Sequence, residues 1–231
     1  MNRNNKLSWA TAFAAGLLFV AAAPTARADS LLYLSDSSGN YVEVYNGAVI
    51  FCSGCTTTLA GGSLTNEFWE GTLGGWSLNI DSGVSFPPNG SPLMDLSIQN
   101  AQDTSGGDPG LSIWFASQSF SSFPGYSLVS GGSISGTMTV DASAYQGNGA
   151  ATLIGDLGPT NGPIINQAGT FANPGGDASI LYEIINITGA GAGSFVSDDF
   201  KLEGVPEPTS IVLLGGALLL VGRSLRRKFQ N

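Results

Sequence analysis

The chain has 231 residues, 33 of them glycine, with a mean hydropathy of +0.17 and only 11% charged residues. That allows one domain with a real core and favours turn-rich β structure over helix. There is no histidine, which excludes His-based triads, His general bases and His-ligated zinc or non-haem iron. The basic residues lie at the ends, Arg3, Lys6 and Arg27 in front and Arg223, Arg226, Arg227 and Lys228 behind, with Lys201 alone between them. With Glu207 set aside, residues 29–204 hold 16 of the 17 acids and a single base, a net charge of −15. A body without arginine makes no bidentate phosphate contacts, so no nucleic-acid partner is expected and anionic lipid surfaces are poor partners. Its acidity points to solvation, cation binding or both.

Residues 1–28 read as a secretory signal. Arg3 and Lys6 form a positive n-region, Leu7 to Ala23 a small apolar h-region, and Ala26-Arg27-Ala28 an A-x-A site. Signal peptidase is therefore expected to cut between Ala28 and Asp29.

From there the pattern turns to period two. Leu31 to Leu34, a turn at 36–40, Tyr41 to Tyr45 and Ala48 to Phe51 predict a meander, with Asn46-Gly47 as a two-residue type I′ hairpin. Met94, Leu96 and Ile98 alternate with polar residues, as do Leu111, Ile113 and Phe115. Ile134, Met138 and Val140 alternate in the same way and read as one further run. Gly155 to Gly176, with Pro159, Pro163 and Pro174, reads as a long irregular connection. Ile180 to Ile187 is apolar on both sides, as in a buried central strand, and Phe195 to Leu202 closes the domain. There is no amphipathic helical pattern and no internal repeat in this stretch. The expectation for 29–204 is an all-β fold, a jelly-roll-like β-sandwich.

Several residue groups in the body carry potential chemistry. Cys52-Ser53-Gly54-Cys55 is the only cysteine pair, and in an exported chain it predicts a short disulfide loop, with a redox CxxC as the alternative. Glu67 and Glu70 flank Phe68-Trp69, the composition a carboxylate-based glycoside hydrolase needs, although on a strand a spacing of three sends them to opposite faces. Asp103 and Asp108 bound an acidic Gly-rich turn of the kind that supplies oxygens to Ca²⁺, without the spacing of a dedicated calcium loop. Asp198 falls on the apolar side of its strand with Phe200, so its carboxylate either accepts backbone hydrogens at a bulge or ligates a cation. Trp69, Trp76, Trp114, Phe120, Phe123 and Tyr126 supply either core or a sugar-stacking platform. No cofactor is expected, apart from Ca²⁺ at these weak acidic candidates.

The chain ends in three parts. Val205-Pro206-Glu207-Pro208 is followed by an apolar run from Ile211 to Gly222 and then by Arg223, Arg226, Arg227 and Lys228. The prolines hold the backbone extended and accessible. The apolar run predicts a single short transmembrane helix, and the basic cluster a cytoplasmic terminus. Residues 205–231 resemble the PEP-CTERM sorting signal of Gram-negative, exopolysaccharide-producing bacteria, about an eighth of the chain. The resemblance implies recognition by an exosortase that cuts near the Pro-Glu-Pro motif, transient anchoring in the inner membrane, and delivery to the cell surface or extracellular matrix.

Three readings of the body follow. The first is a non-enzymatic surface or matrix protein associated with exopolysaccharide. The second is a carbohydrate-binding module with calcium dependence, and the third a glycoside hydrolase using Glu67 and Glu70. For the tail, replacing Pro206, Glu207 and Pro208 by alanine is expected to leave the protein inserted but at full length in the inner membrane. Neutralising Arg223, Arg226, Arg227 and Lys228 is expected instead to weaken retention. Fractionation with immunoblotting distinguishes the two, and a triple-alanine variant cut and delivered like the parent would reduce the tail to a plain anchor.

Overall fold

The computed structural model describes residues 29–85, 93–107, 110–118, 123–147, 151–176, 179–189 and 191–205. The expected signal peptide, its h-region, Asp108, Phe120 and everything from Pro206 onward lie outside the described residues.

Successive strands are β1 (Ser30–Asp36), β2 (Tyr41–Tyr45), β3 (Ala48–Ser53), β4 (Cys55–Ser63), β5 (Asn66–Leu73), β6 (Trp76–Ser85) and β7 (Leu93–Asp103). They continue with β8 (Leu111–Gln118), β9 (Gly125–Ser135), β10 (Thr139–Gln146), β11 (Thr152–Asp156), β12 (Ile164–Ala172), β13 (Ile180–Thr188) and β14 (Phe195–Val205). They form two antiparallel seven-stranded sheets: sheet I in the order β11-β10-β13-β8-β1-β2-β3, and sheet II in the order β12-β9-β14-β7-β6-β5-β4. The fold is a β-sandwich. β1–β3 and β4–β7 are simple meanders. From β7 onward the chain changes sheet repeatedly, and β14 returns to lie beside β7.

The period-two pattern decides which side of each strand is buried. Leu32, Leu34, Val42, Val44, Ile113, Phe115, Leu181 and Ile185 of sheet I meet Trp69, Trp76, Leu78, Ile80, Leu96, Leu128, Phe200 and Leu202 of sheet II in one core. The polar tips of the core aromatics are satisfied. The Trp69 indole N–H donates to Thr57 Oγ1 at 3.0 Å, and the Tyr126 hydroxyl donates to Gln146 Oε1 at 2.7 Å.

Asn46 and Gly47 have φ of +48° and +82°, as a type I′ turn requires. Two expectations need correction. Ile134 to Val140 is not one strand: Gly136 sits at φ +99° between β9 and β10, and the chain crosses there from sheet II to sheet I. The alternation survives because Ile134, Met138 and Val140 all enter the shared core from the two sheets. Nor is 155–176 irregular throughout, since it contains β12, paired with β9 from Ile164↔Ser133 to Ala172↔Gly125. As an edge strand, β12 buries little more than Ile165, which leaves it without a strong hydrophobic pattern.

Cys52 and Cys55 are disulfide-bonded, with Cα atoms 5.7 Å apart. The bond lies where β3 of sheet I passes into β4 of sheet II through Gly54 alone, at φ +63°. Alkylating reagents are expected to label neither cysteine before reduction. Because the closed loop is so short, the double serine variant should lose only about 2 kcal/mol by loop-closure entropy and still fold, a shift readable by thermal denaturation.

Candidate functional site

Because alternate residues of sheet I fill the core, those between them face outward, and the strand register aligns them in rows across the sheet. One row runs Tyr145, Tyr182, Ala116, Leu31, Tyr45. The next runs Ser143, Ile184, Trp114, Tyr33, Glu43, Phe51. A third, polar row follows: Asp141, Asn186, Ser112, Ser35, Tyr41. Five of the six tyrosines of the chain therefore share one face with Trp114 and Phe51. Ala116, Ile180 and Tyr182 form a second small apolar cluster there, with Leu31 and Tyr145 packed against it. Tyr33 and Tyr41 stack with centroids 6.2 Å apart and planes 28° from parallel. In the polar row, Ser112 Oγ donates to Asn186 Oδ1 at 2.7 Å.

Burial raises the phenols of Tyr33 and Tyr182, the latter to about 12, so both are neutral. Burial also raises Glu43 and, joined by the neighbouring Asp156, raises Asp141 to about 6.

The outward face of sheet II is different in kind. Register places Asn79, Asp81, Asp95, Ser97, Asn100, Asp199 and Lys201 there. Lys201 Nζ lies 2.5 Å from Asp199 Oδ2 and 3.9 Å from Asp95 Oδ2. Burial and the adjacent Asp199 raise Asp95 to about 7. Burial acts the same way on Asp199, but its bonds to Asp95 and Lys201 outweigh that and leave it lowered.

The residues singled out from sequence are dispersed. Glu67 points into the sandwich, where Oε1 accepts from Ser30 Oγ at 2.6 Å and Oε2 from the Gly47 amide at 2.7 Å, while Glu70 faces outward on the same strand. Burial raises Glu67 to about 7, but the two carboxylates lie on opposite sides of a sheet and do not flank a common bond. Asp103 Oδ1 accepts from the Ser105 and Gly106 amides and from the Ser105 hydroxyl, closing its own turn. Asp198 is buried at a register shift in the β14–β7 pairing and accepts from Ser130 Oγ at 2.9 Å and from the Asp199 amide at 3.0 Å. Of the aromatics, Trp69, Trp76 and Tyr126 are fully buried, whereas Trp114 faces outward. Val205 is the last paired residue of β14, opposite Gly125, so the expected sorting motif begins where the sheet ends.

Sequence reading passed over Glu183. It sits within the apolar run of β13, points into the core, and has neither carboxylate oxygen hydrogen-bonded. Burial, joined by the charge of Asp95, drives it well above the usual carboxylate range, and the Leu202 amide, which favours the charged form, is too weak to offset them. A lone acid in such a run was the available signal.

No protein-family model and no curated protein matches the chain. Among solved structures it is similar to a CBM4 structure, at 10% identity and a TM-score of 0.32, over 63% of this chain and 74% of that one. It is also similar to the enzymatically active domain of bacteriophage CBA120 tailspike protein 4, at 14% identity and a TM-score of 0.32. That match covers 55% of this chain but only 19% of the tailspike chain. A third similarity is to TmCBM61 in complex with β-1,4-galactotriose, at 13% identity and a TM-score of 0.29, over 57% and 88% of the two chains.

The raised carboxyls make stability depend on pH with a definite sign. A carboxyl whose folded pKa exceeds its unfolded value contributes stability that is complete below the unfolded value, near 4, and lost as pH climbs through the folded one. For Asp198, raised by burial to about 6, and Glu67, raised to about 7, that window is roughly pH 4 to 7, and Glu183 extends it upward. Chemical denaturation from pH 4 to 8 should show stability falling, by up to about 1.4 kcal/mol per pH unit for each such proton. Glu183→Gln should flatten the fall, and stability rising over this range would contradict the arrangement.

Proposed function

We propose that this is an exported carbohydrate-binding surface protein without a catalytic role, and that it binds through the outward face of sheet I. The observation that carries this is the alignment of Tyr145, Tyr182, Trp114, Tyr33, Tyr45 and Phe51 across adjacent strands of one face, with the polar row of Asp141, Asn186 and Ser112 beside it. In a core-packed sandwich, outward positions are ordinarily polar. On sheet II the outward apolar residues, Leu59, Phe68, Val129 and Ile164, are scattered among polar ones and do not form a row of rings. An outward face that carries partly exposed rings, with Phe51 exposed and Tyr182 buried among them, offers aromatic surface for the apolar faces of pyranose units, and the neighbouring polar side chains bond hydroxyls. Adjacent strands lie about 4.8 Å apart, so a row of rings tracks an extended chain rather than a single sugar.

The alternation of sheets from β7 to β14, with β14 returning beside β7, supports a jelly-roll reading of the scaffold. The PEP-CTERM-like tail supports display at the surface or in the matrix of a Gram-negative bacterium, after signal peptidase and exosortase processing. The partner that fits both features is exopolysaccharide.

Affinity electrophoresis against a polysaccharide panel, with and without EDTA, tests the proposal. Trp114→Ala is expected to weaken retention at least tenfold, on the scale of a central aromatic anchor, while thermal denaturation shows the fold intact. Phe68→Ala, on the outward face of sheet II, should change nothing. Equal retention of all three proteins, or no retention on any polysaccharide, would overturn the reading, and loss with EDTA would add a cation to the site.

A further inference from the structure

Within the aromatic rows there is a single carboxylate that lacks a counter-charge. Glu43 lies in register between Tyr33 on β1 and Phe51 on β3, on the outward side of β2, because Val42 and Val44 on either side of it fill the core. It is only 6% exposed, and among the described residues it makes neither hydrogen bond nor ion pair. The β2–β3 pairing shifts register between Glu43 and Val44, a bulge of the kind that re-aims a side chain.

Nothing in the body can neutralise this group. Lys201 is the only Lys or Arg between residues 29 and 204, and it is held by Asp95 and Asp199 on the outward face of the other sheet. Although the residue as a whole is largely covered, its carboxylate oxygens are not sealed from solvent, so with no partner in the protein they can meet an opposite charge brought by a ligand. A lone carboxylate offers too few oxygens for Ca²⁺, which takes about six to eight. An ammonium group needs one counter-charge and the face of an aromatic ring, and both meet at this point.

We propose that the aromatic face selects amino-sugar chains bearing free ammonium groups, with Glu43 as the counter-ion and Tyr33 and Phe51 as the ring walls. This rests on the carbohydrate-binding reading and names its substrate class. It also accounts for the charge of the body, since a net charge of −15 repels uronic-acid and phosphate-bearing polymers and attracts cationic ones.

General attraction of a polycation to an acidic protein is the competing explanation, so the test uses short probes. Isothermal titration of the full chain in neutral detergent would compare a β-1,4-linked glucosamine trimer, its fully N-acetylated counterpart and a neutral glucose trimer. The glucosamine trimer should bind roughly tenfold tighter than the other two, the scale of a hydrogen bond to a charged group. Glu43→Gln should bring all three within about twofold of one another, whereas Asp81→Asn, an exposed acid on the other sheet, should leave the preference intact. N-acetylation of the ligand removes the ammonium without touching the protein, so the test holds even if Glu43→Gln fails to fold. Trp114-dependent binding of all three trimers with equal affinity would overturn the ammonium site and leave carbohydrate binding standing. An equal loss in both acid variants would assign the preference to net charge and overturn the site as well. No binding of any trimer or polysaccharide would remove both.

Discussion

The packing of Trp69, Trp76, Phe115, Tyr126 and Phe200 between two seven-stranded sheets sets the register of every strand around them. A strand that slipped by one residue would turn its core side chains to solvent and bring its outward ones inside. For β2 that would expose Val42 and Val44 and bury Tyr41, Glu43 and Tyr45 against the opposing sheet. The outward rows of sheet I are thus a by-product of the inner packing: once Leu32, Ile113 and Ile185 are fixed inside, Tyr33, Trp114 and Ile184 have only one side left, and they line up.

The two outward faces then diverge by composition. Sheet II presents serines, asparagines and acids to water, with scattered apolar residues such as Val129 and Ile164, and holds the one body lysine in a carboxylate cluster. Sheet I carries rings, and its acids stand at the margins of the apolar surface or, in the case of Glu43, inside it. Burial raises several carboxyls in both regions, and for the core acids Glu67, Glu183 and Asp198 the cause is desolvation in each case. These three differ in how well they are satisfied. Glu67 and Asp198 accept from hydroxyls and amides, and Glu183 has no hydrogen bond. Glu67, Glu183 and Asp198 face the core, whereas Glu43 faces outward among the rings.

At two of the corners where the chain changes sheet, the backbone requires a glycine. Gly54 carries the chain from β3 to β4 at φ +63°, where a Cβ would strike the Asn40 side chain, and Gly136 does the same between β9 and β10, against Ser194. The disulfide spans the first of these corners. These two sheet changes are made within one and three residues, and a glycine free to take positive φ provides each corner.

Much of this was legible locally. The Asn46-Gly47 hairpin, the alternation in β1, β2, β7 and β8 and the doubly apolar β13 all follow from neighbours a few residues apart, because period and turn chemistry are local properties. For Asp198 the sequence offered a bulge or a cation ligand, and the structure shows the register shift. Sequence alone also determined that the body has one cation and no histidine, and the chemistry this excludes. What it did not contain was which strands lie side by side. Edge strands such as β12 bury too little to show a pattern, and the run from Ile134 to Val140 hid a change of sheet because both halves face the same core. Tyr33, Glu43, Trp114, Tyr145 and Tyr182 are spread over about 150 residues, and only tertiary structure decides that β10, β13, β8, β1 and β2 are neighbours and so places them on one surface. The reason is physical: strand pairing is non-local, so a face assembled across a sheet leaves no spacing in the chain from which it can be read.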